Sequence, residues 1–220
     1  MKVIQRSMGL FDTNVFILGN EETGEALIFD APERGEKIYE YCLSEGFHPA
    51  AVILTHGHID HIMGVPGLRR AAKERGEELP VYIAEKEREL IEDCDKNLAM
   101  MFGFGNVTVK ADRFFREGDV LNLAGFTFRV IETPGHTEGS CCFYFEAEKT
   151  LMSGDTLFDG SVGRTDFPGG SAAKLVSSII DKLYKLPDDT VVYPGHFSET
   201  TIGREKKYNM AVPADFEPDL

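Results

Sequence analysis

Three histidines and an aspartate fall within six residues in Thr55-His56-Gly57-His58-Ile59-Asp60-His61. Imidazole nitrogens and carboxylate oxygens bind borderline divalent metals, and so dense a cluster is costly to keep unless something coordinates it. Three later positions have the chemistry to complete it: His136 in Pro134-Gly135-His136, Asp155 in Ser153-Gly154-Asp155 and His196 in Pro194-Gly195-His196. The pattern points to a metalloenzyme. Histidines one residue apart can face one ion, while Asp60 and His61, set off by the turn into a helix, can face a second. Completing both shells needs a bridging carboxylate and a further imidazole for each ion, and Asp155, His136 and His196 supply those groups. The plain alternative is that Asp60 is a helix N-cap and the histidines are ordinary loop residues; it suits a lone histidine, not this set.

These side chains must be placed by the elements around them. Apolar runs bounded by Gly, Pro and Asp predict strands at Val3–Ser7, Asn14–Leu18, Ala26–Asp30, Ala51–Leu54, Val81–Ala84, Val107–Val109, Phe126–Glu132, Cys141–Phe145, Thr150–Met152 and Thr190–Tyr193. Helical periodicity predicts helices at Arg34–Glu45, His61–Arg75, Glu85–Glu92 and Ser171–Leu186. In the last helix Leu175, Ile179, Leu183 and Leu186 share a stripe and Ser171 stands as N-cap, so it should lie against a sheet. Asp60 is placed at the N-cap of the helix that follows the motif. Val130–His136 and Val191–His196 echo one another, each running an apolar strand into Pro-Gly-His. The mixture is α/β, and no Pro- or Ser/Gly-rich linker divides it, so residues 1–220 read as a single domain.

A formal charge of −14 argues against nucleic acid or an anionic membrane as partner, since a phosphate-binding face needs surplus Lys and Arg. The N-terminus lacks the apolar run of a signal peptide and no segment approaches a membrane span, which makes a cytoplasmic protein the expectation. Cys42, Cys94, Cys141 and Cys142 show no Cys-x-x-Cys spacing and read as reduced thiols. Cys141 and Cys142 should point to opposite faces of one strand.

The motif His56-Gly57-His58-Ile59-Asp60-His61 resembles the His-x-His-x-Asp-His signature of the metallo-β-lactamase superfamily, and the likeness covers nearly the whole chain. It implies an αββα sandwich of two mixed β-sheets flanked by helices. It also implies one ion on His56, His58 and His136, a second on Asp60, His61 and His196, and a bridge by Asp155, with zinc first and iron or manganese as alternatives. Ser153–Phe158, Gly160–Gly170 and Thr200–Glu205 are similar to the small glyoxalase II-like hydrolases, which implies a small-molecule thioester substrate. An aspartate at 155, where β-lactamases carry Cys or Ser, points away from β-lactam hydrolysis as the main activity. Only 24 residues follow His196, too few for the C-terminal helical domain of full-length glyoxalase II, so glutathione recognition does not carry over with hydrolysis.

Divalent ions lower the pKa of water from about 15.7 to about 7, which makes it a nucleophile at neutral pH. Asp60 is then the residue expected to orient that nucleophile. A persulfide dioxygenase shares the signature and a Gly-Arg-Thr-Asp-Phe segment like Gly163–Phe167; its single iron would sit on His56, His136 and Asp155. A metal-dependent binding module is the non-catalytic reading. Arg164 and Asp166 read as an internal ion pair, with a substrate contact by Arg164 as the sharper idea. The region Ile91–Asn106, with Met100–Gly105 inside it, reads as a packed core turn or a dimer contact rather than a mobile cover over a cleft.

Overall fold

A strand that is buried on both faces needs a layer on each side, and Thr13–Gly19, buried at every residue, is the clearest case. The structure, a computed structural model, describes residues 1–213. The chain opens with β1 (Lys2–Met8), β2 (Thr13–Gly19), β3 (Glu25–Phe29), α1 (Gly35–Ser44) and β4 (His48–Ile53). There follow α2 (Ile59–Ile62), α3 (Val65–Glu74), β5 (Val81–Ala84), a 3-10 turn (Glu85–Glu87), α4 (Arg88–Glu92), β6 (Arg113–Phe115) and β7 (Val120–Leu123). The second half contains β8 (Phe126–Glu132), β9 (Cys141–Phe145), β10 (Thr150–Gly154), β11 (Leu157–Phe158), β12 (Ser161–Val162) and α5 (Ala172–Asp181). After a 3-10 turn (Leu183–Lys185) come β13 (Val191–Pro194), β14 (Thr200–Thr201) and α6 (Ile202–Tyr208).

Strands β1 to β6 pair in sequence order as one sheet, and β14-β13-β10-β9-β8-β7 form a second. Both mix parallel and antiparallel pairs. Between them Phe16, Leu27, Phe29 and Phe115 meet Phe128, Val130, Phe143 and Phe145. On the outer face of the first sheet Ile38, Tyr39 and Leu68 of α1 and α3 cover Ile17, Ile28 and Val52. On the outer face of the second, Leu175 and Ile179 of α5 and Ile202 of α6 cover Ile131, Leu151 and Val192. These three cores make the αββα sandwich of two mixed sheets. Cys141 packs between the sheets and Cys142 under α5, as alternation along a strand requires. All four cysteines are free, and burial pushes the Cys42 thiol up to about 12 and the Cys142 thiol up to about 11.

Several elements differ from the sequence-based expectations. The helix expected over His61–Arg75 is two helices, α2 and α3, with Gly64 as the N-cap of α3 and Pro66 in its first turn, where a missing N–H costs nothing. The helix expected over Ser171–Leu186 ends at Asp181 and closes in the 3-10 turn; its N-cap is Ser171, whose hydroxyl accepts from the Lys174 N–H. Val107–Val109 is loop, held by the Asn97 side chain on the Val107 carbonyl and the Ile91 carbonyl on the Val109 N–H.

Strands β8, β10 and β13 run the same way, since β10 is parallel to β13 and antiparallel to β9, which is antiparallel to β8. Their C-terminal ends therefore deliver His136, Asp155 and His196 to one edge of the second sheet. The Pro-Gly-His echo is thus two strand ends of one sheet. From the first sheet, the ends of β3 and β4 bring Asp30 and the histidine motif to the same edge.

Phe29 is fully buried, with the rings of Phe128, Phe143 and Phe145 5.4 to 6.3 Å from its own. Phe29→Ala should cost about 3–5 kcal/mol of stability. Urea unfolding should show a lower midpoint with an unchanged slope; an unchanged midpoint would contradict the packing described.

Candidate metal centre

All seven side chains converge. His56, His58 and His136 form one group of facing donor atoms, Asp60, His61 and His196 another, and Asp155 joins His56 and His61 in a third that overlaps both. The Asp155 carboxylate lies between the first two groups, with Oδ1 3.4 Å from His61 Nε2 and Oδ2 3.6 Å from His136 Nε2 and 3.4 Å from His196 Nε2. His136 Nε2 is 2.9 Å from His58 Nδ1 and 3.2 Å from His56 Nε2. Gly195 permits this approach: a Cβ there would collide with Asp155 Oδ1 and His61 Cε1.

Backbone and side-chain partners fix which nitrogen of each ring faces inward. His136 Nδ1 donates to the Arg164 carbonyl at 2.7 Å and His196 Nδ1 to the Phe11 carbonyl at 3.1 Å; a carbonyl only accepts. His61 Nδ1 lies 2.8 Å from Asp30 Oδ2. The Thr55 hydroxyl donates to the same oxygen at 2.9 Å, so His56 Nδ1, 3.1 Å from that hydroxyl, is the donor there. With Nδ1 engaged outward, four rings present Nε2 toward a common space, where each nitrogen can take a metal once it carries no proton. Among the described residues His61 Nε2 and Asp155 Oδ1 are buried there without a hydrogen-bond partner. Imidazole nitrogens and two carboxylates turned to one space are a donor set that fits divalent cations.

The electrostatics divide the cluster. Burial, reinforced by neighbouring imidazoles, holds His56 well below its ordinary value and His58 down to about 3. Burial opposes charge on His61 and His196 too, but Asp30, Asp60 and Asp155 outweigh it at His61, and Asp155 and Asp60 raise His196 to about 9. The same pairings overcome burial to hold Asp155 well below the carboxylate range and Asp60 at about 2.

Asp60 is not the helix cap expected of it. Helix α2 begins at Ile59 with His58 at the N-cap, and the Asp60 carboxylate faces the cluster, its Oδ2 accepting from Thr13 Oγ1 at 2.9 Å and lying 3.4 Å from His196 Nε2. His58, Asp60, His136, Asp155 and His196 floor a cavity of about 180 Å³ walled by Phe11, Leu98, Phe102, Arg164 and Phe167. Arg164 and Asp166 form a two-point ion pair at 2.7 Å, and the guanidinium stacks 3.8 Å over the Phe167 ring. The region Ile91–Asn106 divides: Ile91, Leu98 and Ala99 are buried, whereas Met100 and Met101 are exposed and the Phe102 ring stands 4.9 Å from that of Phe11 on the cavity wall.

Sequence reasoning missed Asp30, which orients one histidine of each group, directly at His61 and through Thr55 at His56. Its available signal was a carboxylate ending the apolar run Ala26-Leu27-Ile28-Phe29. It also missed Asn14, which is buried, donates to the carbonyls of Pro194 and Phe197 at 2.9 Å, and so ties β2 to the loop carrying His196.

Residues 8–196 match the family model of the metallo-beta-lactamase superfamily. The chain belongs to that superfamily, whose members bind divalent metals. It is 36% identical to the hydroxyacylglutathione hydrolase GloC of Haemophilus influenzae over 90% of this chain and 92% of that one. Among solved structures it is similar to the BLEG-1 B3 metallo-beta-lactamase, with TM-score 0.86, 36% identity and coverage of 95% and 98% of the two chains. It is likewise similar to TTHA1623, solved in a di-iron-bound form, with TM-score 0.80, 32% identity and coverage of 94% and 99%. Among the described residues no helix is long and apolar enough to cross a membrane.

Asp30→Asn keeps the shape but replaces one accepting oxygen with a donor. It should weaken metal binding about 10–100-fold, as changes behind ligating histidines do, measured by competition with a chelator. Wild-type affinity in this variant would refute the orienting role.

Proposed function

We propose that the protein is a metal-dependent hydrolase of thioesters that works with two divalent ions, zinc in first place. The observation that carries this reading is the Asp155 carboxylate lying between two complete donor groups. His56, His58 and His136 would hold one ion, Asp60, His61 and His196 the other, and Asp155 would touch both. Ions so placed supply a Lewis acid for the carbonyl oxygen and a water acidic enough to attack at neutral pH. The rest of the chemistry belongs to the chain.

Asp60, pinned through Oδ2 by Thr13 and kept ionised by its histidine neighbours, accepts a hydrogen bond from the attacking water and aims it at the carbonyl carbon. Phe11, Leu98, Phe102 and Phe167 hold the substrate's apolar part and keep bulk water off the reacting centre. Arg164 closes the wall with its charge already paired to Asp166. As the carbon–sulfur bond breaks, sulfur leaves as a thiolate, a good enough leaving group to need no general acid. The 36% identity to a hydroxyacylglutathione hydrolase supports a thioester as the class, and S-lactoylglutathione is the first substrate to try. The protein is expected to work in the cytoplasm.

A second reading has its own observation: His56 and His136 nitrogens 3.2 Å apart, with Asp155 3.6 Å from His136, could form the single-iron set of a persulfide dioxygenase. Likeness to a structure titled a B3 metallo-beta-lactamase adds a β-lactam to the substrates worth assaying. Elemental analysis with parallel assays separates these. About two metals per chain and thiol release from S-lactoylglutathione are expected. One iron per chain with sulfite formed from glutathione persulfide would replace the hydrolase reading, and β-lactam opening without thiol release would move the substrate class. Asp155→Ala should abolish turnover and lower metal content in both groups; a full metal complement in that variant would refute the bridging role.

A further inference from the structure

Glu87 is 1% exposed in the turn after β5 and takes no part in the chemistry above. Its oxygens are engaged by two backbone amides of different loops: Oε2 accepts from the Gly57 N–H and Oε1 from the Gly139 N–H, each at 2.8 Å. Gly57 stands between His56 and His58, on the loop that leaves β4 of the first sheet. Gly139 follows His136 on the loop that leaves β8 of the second sheet. The carboxylate is therefore a tie across the sandwich between the two stretches of chain that carry the first donor group.

Both glycines are shaped for it. A Cβ at Gly139 would come within 2.7 Å of Glu87 Oε1, and one at Gly57 within 2.5 Å of Leu90 and 2.7 Å of Ile91. Side chains at either position would force the loop away from Glu87 and α4. Burying a carboxylate is costly unless its oxygens are satisfied, and burial does push this carboxyl up in pKa, while the Thr137 hydroxyl and the Gly57 and Gly139 amides pull it back. A leucine would fill the space but leave the Gly57 and Gly139 amides buried without acceptors, so packing alone does not account for the residue.

We infer that Glu87 is a positioning residue that holds the His56-Gly57-His58 loop and the His136–Gly139 loop at the separation an ion in the first donor group requires. This rests on the ligand reading given above. A carboxylate accepts at both oxygens, whereas an amide of the same shape sets its NH2 against one backbone N–H, donor against donor. Glu87→Gln should therefore release one loop while leaving volume unchanged.

The test is made on the whole protein by two measurements. In the metal-free wild type the amide protons of Gly57 and Gly139 should resonate downfield and exchange slowly; in Glu87→Gln one of them should lose both marks. On titration with cobalt(II), Glu87→Gln should bind the ion of the His56–His58–His136 group about 10–100-fold more weakly and show shifted ligand-field bands. Binding in the Asp60–His61–His196 group should stay as in the wild type. Gly139→Ala, which keeps the carboxylate and crowds it by one methyl, should reproduce that selective loss if Glu87→Gln fails to fold. Unchanged cobalt affinity and spectrum, or equal loss in both groups, would overturn the positioning role and leave Glu87 a packing residue. A wild type that takes up no cobalt in either group would instead bring down the ligand reading, and this role with it.

Discussion

The structure depends on bringing metal-binding groups from both sheets to one place. Four imidazoles are turned by Nδ1 partners so that their Nε2 atoms face inward, and two carboxylates are set among them. Each of these groups is at least largely buried, where unpaired polar atoms are expensive. Such an arrangement persists because the surrounding elements over-determine it. Parallel strand ends of two sheets deliver the side chains, and backbone hydrogen bonds from Cys141 to Thr55 at 2.9 Å and from Asn14 to Gly195 at 2.7 Å lock the sheets together at that edge. A divalent cation in either group would tie several of these elements together at once, which would couple its binding to the local order of this edge.

The two donor groups ask for that cation differently. His56 and His58 are held neutral by burial, so the first group is a set of neutral nitrogen donors. His61 and His196 lie in the field of Asp30, Asp60 and Asp155 and hold protons strongly when no ion competes. In the second group a metal must displace protons; in the first it must chiefly meet a geometry. The outer partners do not divide the same way: neutral carbonyls of Arg164 and Phe11 hold His136 in the first group and His196 in the second. Asp30 serves both groups, at His61 directly and at His56 through the Thr55 hydroxyl, so it couples the orientation of the two donor groups.

The candidate ligands were legible in the sequence because they are local or sit in short stretches that punctuate strands: His56–His61 as one motif, His136, Asp155 and His196 after Gly. The strands that carry them were legible for the same reason, and Val81–Ala84, Phe126–Glu132 and Cys141–Phe145 fall where periodicity places them. Strand β6, at three residues, and β11, β12 and β14, at two each, are too short for alternation to register. Helix α6 was hidden because its Thr201 cap, confirmed by the Arg204 N–H on the Thr201 hydroxyl, follows directly on a strand without a turn signal. The supporting carboxylates were not legible for a different reason. Asp30 and Glu87 act on backbone and rings 25 to 52 positions away, and in their own segments each reads only as an acid at the end of an element.

Substrate choice lies with the walls, yet the walls are not free of the ligands. Phe11 comes from the β1–β2 loop, Leu98 and Phe102 from the stretch between α4 and β6, and Arg164 and Phe167 from the stretch between β12 and α5. Loops of this kind vary in side chain without disturbing the ladders beneath them. Two of them, however, supply through Phe11 and Arg164 the carbonyls that hold His196 and His136 by Nδ1. A new side chain at 11 or 164 keeps its carbonyl and reshapes the cavity with the ligands still aimed, whereas a change of loop length moves the carbonyl and turns the imidazole. Specificity at this centre can therefore drift by substitution more easily than by insertion, with the Met100–Phe102 segment, which among the described residues holds none of these imidazoles by its backbone, as the part least constrained.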